Sequence, residues 1–138
     1  MKRRKGKGSN PFLLTMKTIE INALVLAYLG DTIYENYVRK YLIKKGIGNV
    51  NDLQKESIQY VSAKGQAEIL KRMLDSEFFN EEEIDTIKRA RNAKTNSSPK
   101  GCDIITYKYA TGLESLIGYL ELENRRERID EIMDFILR

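Results

Sequence analysis

The chain of 138 residues contains no histidine. That absence excludes Ser-His-Asp and Cys-His catalysis, histidine-ligated zinc and any histidine general base. Enzymatic chemistry here must run on carboxylates, hydroxyls, amines or a bound metal ion. Cysteine is nearly absent: the single Cys102 excludes an internal disulfide and fits a reducing cytoplasm. Long apolar runs are missing, and none approaches the roughly 20 residues that span a bilayer. The basic start, Met1-Lys-Arg-Arg-Lys-Gly-Lys-Gly, lacks the apolar stretch that would follow it in a signal peptide. A cytoplasmic location without membrane contact is therefore expected. Period-two alternation is also missing, which argues against strands, and there are no internal repeats.

The net charge of +4 is unevenly spread. Residues 1–10 hold five cations (Lys2, Arg3, Arg4, Lys5 and Lys7) and no acid, leaving 19 cations against 20 acids in the remaining body. The leader reads as a flexible arm that is either solvated or helps to hold a polyanion. Evidence for nucleic-acid binding must come from local patches elsewhere. The length predicts one domain, with residues 1–18 as arm and lead-in and residues 19–138 as the folded unit.

That unit reads as an all-α domain of five to seven helices. The longest is expected from an N-cap at Asn22 to about Lys45, ended by Gly46 and Gly48. Its apolar series runs Leu24, Tyr28, Tyr34, Val38, Tyr41, with Asp31 interrupting it. A second helix is expected from a cap at Asn51 or Asp52. A third, from Ser62 to Asp75, turns Ala63, Ala67, Leu70 and Leu74 to one face. Asn80 with Glu83 three residues on resembles a capping box for a fourth, which carries Ile84, Ile87 and Ala90 inward and runs to about Ala93. Residues 95–102 read as a loop rich in Ser and Asn. Asp103 caps a fifth helix to Leu122, and a last one from about Glu123 to Leu137 buries Ile129, Ile132, Met133 and Ile136.

Three features of this pattern carry chemistry. Asp31 is a carboxylate among apolar positions, a costly placement unless compensated, and Gly30 beside it weakens the helix by about 1 kcal/mol. Glu114 repeats the anomaly, with Ala110, Thr111, Ile117 and Gly118 as its helical neighbours. If the two helices cross at Gly30 and Gly118, the acids face each other. Two close carboxylates cannot both ionise cheaply, and a divalent cation removes that conflict. Oxygen-only ligation favours Mg²⁺, or Mn²⁺ as substitute, over zinc. The residues alone leave a second reading open, in which each acid is solvated or paired with an Arg or Lys.

The third feature is a basic patch. Between Thr86 and Ala110 stand Lys88, Arg89, Arg91, Lys94, Lys100 and Lys108 against one acid, Asp103. Cations with Asn and Ser donors on a loop suit contact with a phosphate backbone. Cations at a helix end also complement its dipole, so this patch too has two readings.

Taken together, Leu29-Gly-Asp-Thr-Ile-Tyr-Glu and Leu113-Glu-Ser-Leu-Ile-Gly-Tyr-Leu resemble the ribonuclease III catalytic domain. With Tyr60-Val-Ser-Ala-Lys-Gly-Gln-Ala, Lys88-Arg-Ala-Arg-Asn-Ala-Lys and Pro99-Lys-Gly-Cys-Asp, the chain is similar to the short bacterial form, the Mini-ribonuclease III family, which lacks a double-stranded-RNA-binding domain. The resemblance covers about residues 20–122 in the family's order.

It implies a dimeric, Mg²⁺-dependent endonuclease in which water attacks the phosphorus of double-stranded RNA and leaves a 5′-phosphate and a 3′-hydroxyl. The implied substrate is the precursor of large-subunit (23S) ribosomal RNA, and assistance by a ribosomal protein stays an open question. By motif position, Asp31 and Glu114 carry over as catalytic metal ligands, and Arg89, Arg91, Asn92, Lys94, Lys100 and Asp103 as the RNA-facing group. Full-length ribonuclease III has two further acids where Ala27 and Thr111 stand here. Water, the Thr111 hydroxyl or RNA phosphate must then complete a metal shell, with Glu35 a further acid on the Asp31 face. The loss of two acids motivates a rival, a non-catalytic structured-RNA-binding protein that keeps the fold. A weaker rival is a DNA-binding helical module led by the basic arm.

Overall fold

A computed structural model describes residues 17–94 and 98–138. The expected arm of residues 1–10, most of the lead-in to Thr18, and Thr95, Asn96 and Ser97 of the expected loop lie outside the described residues. Among the described residues the fold is all-helical. A short 3-10 turn, Thr18–Glu20, precedes six helices: α1 (Ala23–Lys44), α2 (Val50–Val61), α3 (Ala63–Asp75), α4 (Glu81–Arg91), α5 (Ile104–Leu122) and α6 (Arg126–Leu137).

The helix starts follow cap chemistry. Asn22, Asn80 and Asp103 each accept a backbone N–H of the first turn, as the sequence predicts; Ser62, expected as the first residue of its helix, is its cap; and Glu83 accepts the Asn80 N–H. Two boundaries differ from expectation. Helix α2 is capped by Asn49, whose extended backbone lets its Oδ1 accept the Asp52 N–H at 3.2 Å. Helix α6 begins at Arg126, not Glu123. Asn124 adopts a left-handed φ of 58°, and the Asn124 and Arg125 N–H groups return to the Glu121 and Leu120 carbonyls, which closes α5.

Helix α5 is the centre of the domain. From Ala110 to Leu120 every residue except Glu114 is buried, so α5 packs on several sides at once. Helix α1 lies along it most extensively, α3 and α4 cover other faces, and α6 closes the core with Ile129, Ile132, Met133 and Ile136. Full burial of each such side chain contributes roughly 1.5–3 kcal/mol.

The face of α1 differs from the expected stripe. The buried residues are Leu26, Ala27, Gly30, Tyr34, Val38 and Leu42, whereas Leu24 and Tyr28 are exposed, Tyr28 by 80%. Contact with α5 runs through Leu26 and Gly30, which rotates Leu24, Tyr28 and Asp31 to the rim of the interface. No described helix is long and apolar enough to cross a membrane.

Candidate active site

The site is made by the approach of α1 to α5. A Cβ built on Gly30 would stand 1.8 Å from the Glu114 carbonyl oxygen, and one on Gly118 would stand 2.0 Å from the Leu26 oxygen. The two backbones are therefore in direct contact at a crossing that only glycine permits. This is the crossing on which the expected meeting of the two acids was conditional, and it brings Asp31, one residue past Gly30, beside Glu114.

Glu114 is the one charged residue inside the apolar run of α5. Burial first, then the hydrogen-bonding Asp31 carboxyl and its charge, push its pKa up to about 8, with Glu35 adding to the rise. Gln66 of α3 opposes that shift: its Nε2 donates to Glu114 Oε2 at 3.2 Å. Among the described residues no Lys or Arg forms an ion pair with Asp31 or Glu114. The alternative in which these acids pair with a core cation thus has no support there. Asp31 is solvent-exposed, so the pair opens to the surface on one side and to the core on the other.

The surrounding groups have definite partners. Thr111 is buried and donates its hydroxyl to the Tyr107 carbonyl at 2.8 Å, so its proton is committed to the helix backbone. Glu35 pairs with Arg39 on α1 at 3.6 Å. Tyr34, fully buried, donates to the Tyr60 carbonyl at 2.6 Å. Burial, then the charge of Glu114, raise its phenol well above the usual range and keep it neutral.

Two carboxyl groups with no ion-pairing cation among the described residues form a hard, oxygen-rich donor set. It fits Mg²⁺ or Mn²⁺, which commonly bind one or two carboxylates and complete their shell with water and substrate phosphate. Among the described residues no group of three or more His, Cys, Asp or Glu side chains is arranged to hold a metal. A metal held by this pair would need further ligands from water or substrate, since Ala27 and Thr111 offer no carboxylate.

The residues expected to face RNA divide into two kinds. Asn92, Lys94 and Lys100 are exposed. Arg89 donates to the Ile19 carbonyl at 3.2 Å and ties the 3-10 turn to α4. Arg91 lies over the Tyr109 ring, 5.9 Å from its centre. Asp103 caps α5 through the Thr106 N–H at 2.8 Å and hydroxyl at 3.0 Å. A cleft of about 360 Å³ runs between Ser62, Ala63 and Lys64 at the start of α3 and Gly101, Cys102, Asp103 and Thr106 at the start of α5. It joins the end of the loop to the helix that carries Gln66.

Gln66 is the site residue missed by the analysis of the two acids. Its signal was the same: a polar side chain with Ala63, Ile69 and Leu70 three or four residues away.

Comparison with known proteins sets the class first. The family model of the Ribonuclease III domain matches residues 24–125, which makes this helical domain an endoribonuclease, a hydrolase of RNA phosphodiester bonds. The Mini-ribonuclease 3 of Enterococcus faecalis is 44% identical over 119 residues, covering 86% of this chain and 90% of the relative. That of Brevibacillus brevis is 50% identical over 112 residues, covering 81% and 82%. A crystal structure of a Fusobacterium nucleatum protein matches with a TM-score of 0.78 at 35% identity, over 88% of this chain and 98% of that one. The chain belongs to the Mini-ribonuclease 3 family.

Proposed function

We propose that this protein is a homodimeric, Mg²⁺-dependent endoribonuclease that cuts double-stranded RNA, with Asp31 and Glu114 as its catalytic metal ligands. Cleavage of double-stranded RNA follows from the family. The observation that carries the site is the Gly30–Gly118 crossing, which holds Glu114 beside Asp31 with no ion-pairing cation among the described residues. When bound, Mg²⁺ supplies a Lewis acid for the phosphoryl oxygens and makes water a better nucleophile. Asp31, on the exposed side, meets the substrate, while Glu114 anchors the site to the core.

Arg89, Arg91, Asn92, Lys94, Lys100 and Asp103 form the proposed RNA-facing group. A-form RNA is read mainly by shape and by phosphate and 2′-hydroxyl contacts. The loop of residues 95–102 is the element proposed for any sequence preference. The large-subunit (23S) ribosomal RNA precursor is the substrate proposed on the family resemblance, and residues 19–138 are the proposed catalytic domain. The dimer is supported by exposed apolar surface beside Asp31: Val25 is 56% and Tyr28 80% exposed one or two turns before it.

The test is cleavage of a duplex RNA in Mg²⁺ by wild type, Asp31→Asn and Glu114→Gln. Wild type is expected to release 5′-phosphate ends, and both variants to bind the duplex without cutting. A wild-type protein that binds and never cuts, or a variant that cuts normally, contradicts the proposal.

A further inference from the structure

We infer that Gln66 is a positioning residue of this site, holding one oxygen of Glu114 so that the other is left for the metal. The inference rests on the reading of Asp31 and Glu114 as the metal site. Gln66 is 2% exposed, and its Nε2 reaches Glu114 Oε2 at 3.2 Å across 48 residues of sequence. Its helical neighbours Ala63, Ile69 and Leu70 are apolar, so packing alone asks for an aliphatic side chain. A buried carboxamide in such a place needs a hydrogen-bond partner, and Glu114 is the one its Nε2 finds.

The use follows from the chemistry of the site. A glutamate side chain has three rotatable bonds, and Glu114 has no cationic partner among the described residues to fix them. Gln66 supplies a donor that is always present, because an amide does not titrate near neutral pH. It also brings no charge of its own to a place where two acids already repel. With Oε2 held by Gln66, the Glu114 carboxyl is fixed in orientation, and its other oxygen would be the one freer to hold a metal. Outer-shell donors of this kind orient metal ligands, and their loss costs about 10–100-fold in metal affinity or activity.

The experiment measures Mn²⁺ affinity of the RNA-free full chain by titration calorimetry or electron paramagnetic resonance, for wild type, Gln66→Met, Gln66→Asn and Asp31→Asn. Met conserves volume without a donor; Asn keeps the amide but ends one methylene short. Both are expected to keep the helical spectrum and to bind Mn²⁺ about tenfold or more weakly. At fixed low Mg²⁺ both should lower kcat while the KM for duplex RNA stays within about twofold, and raising Mg²⁺ should restore kcat, a rescue that loss of fold does not allow. Either Gln66 variant, folded and binding Mn²⁺ as wild type does, overturns the inference. If Asp31→Asn also leaves Mn²⁺ binding unchanged, the metal-site reading itself fails. If Asp31→Asn alone weakens binding, only the role of Gln66 fails.

Discussion

Replacing Gly30 by alanine tests the contact on which the site depends. The new methyl would lie 1.8 Å from the Glu114 oxygen, 2.7 Å from its carbonyl carbon and 2.9 Å from the Gly118 nitrogen. All three are backbone atoms, which cannot rotate away as a side chain can. Ordinary contact begins near 3.4 Å, so α1 and α5 must part by roughly 1.6 Å. Overpacking of this kind costs about 1–3 kcal/mol, and more where nothing can give. Alanine recovers about 1 kcal/mol of helix propensity, but the parting also loosens the contacts of Leu113, Leu116 and Ile117. A net loss of about 2–3 kcal/mol is expected, lowering Tm by roughly 6–15 °C for a chain of this size. Thermal melts by circular dichroism measure it, and single-turnover RNA cleavage should fall with it because Asp31 and Glu114 move apart. Gly48→Ala is the control: no atom lies within 4 Å of its Cβ, so stability should hold or rise by about 0.4–1 kcal/mol. A Gly30→Ala protein that melts within about 2 °C of wild type and cuts RNA normally refutes the close crossing.

Glu114 makes stability depend on pH. Its pKa is raised to about 8 in the fold from 4.5, so the folded protein keeps a proton that the unfolded chain releases. The stabilisation is complete below about pH 4.5 and is lost as pH rises through about 8, a change on the order of 2–5 kcal/mol. Melts in EDTA across this range should show the fall in wild type and a flatter profile in Glu114→Gln; parallel profiles contradict the assignment. If the proposed dimer forms through this face, wild type should sediment as a dimer and Tyr28→Glu as a folded monomer, since this exposed ring adds nothing to the monomer's core. A monomeric wild type contradicts the proposed dimer, and a variant that stays dimeric contradicts the placement of Tyr28 in it. Far from the acids, Arg128 donates to the buried Glu83 at 2.7 and 2.9 Å and to the Phe78 carbonyl at 2.9 Å. Arg128→Met strands that carboxylate and should cost about 3 kcal/mol by denaturant titration, with Glu83→Gln in the same chain restoring part of it. A loss below about 1 kcal/mol shows that the pair is not doing this.

The sequence showed the helices through their caps and their buried faces through apolar spacing. Ser62, Asn80 and Asp103 stand where local hydrogen bonding dictates a start, and tertiary context leaves those starts alone. Asn124 was harder to read, because its left-handed turn is selected by the closure of α5 and the return of Arg125 to Leu120, contacts that spacing does not encode. The face of α1 was half legible. Periodicity identifies a stripe, but Gly30 rotated it: a glycine has no side chain to count as apolar, although here it is the centre of the interface. Glu114 was visible as an acid in the wrong company; Asp31 lies at the exposed rim and not in the apolar stripe expected for it, and it was the paired glycines that made the meeting of the two acids legible. Gln66 shares the anomaly less visibly, because a buried amide is a weaker violation than a buried charge. The partners of Arg89 and Arg91 were hidden, since a hydrogen bond to Ile19 and a contact with Tyr109 join segments distant in sequence.

The most direct test of the acidic pair as a metal site is a crystal of this protein soaked in Mn²⁺ and measured at the manganese absorption edge. An anomalous peak between Asp31 and Glu114, about 2.0–2.2 Å from one oxygen of each, is the expected result. A crystal that holds Mn²⁺ elsewhere, with no peak between these two carboxylates, contradicts it.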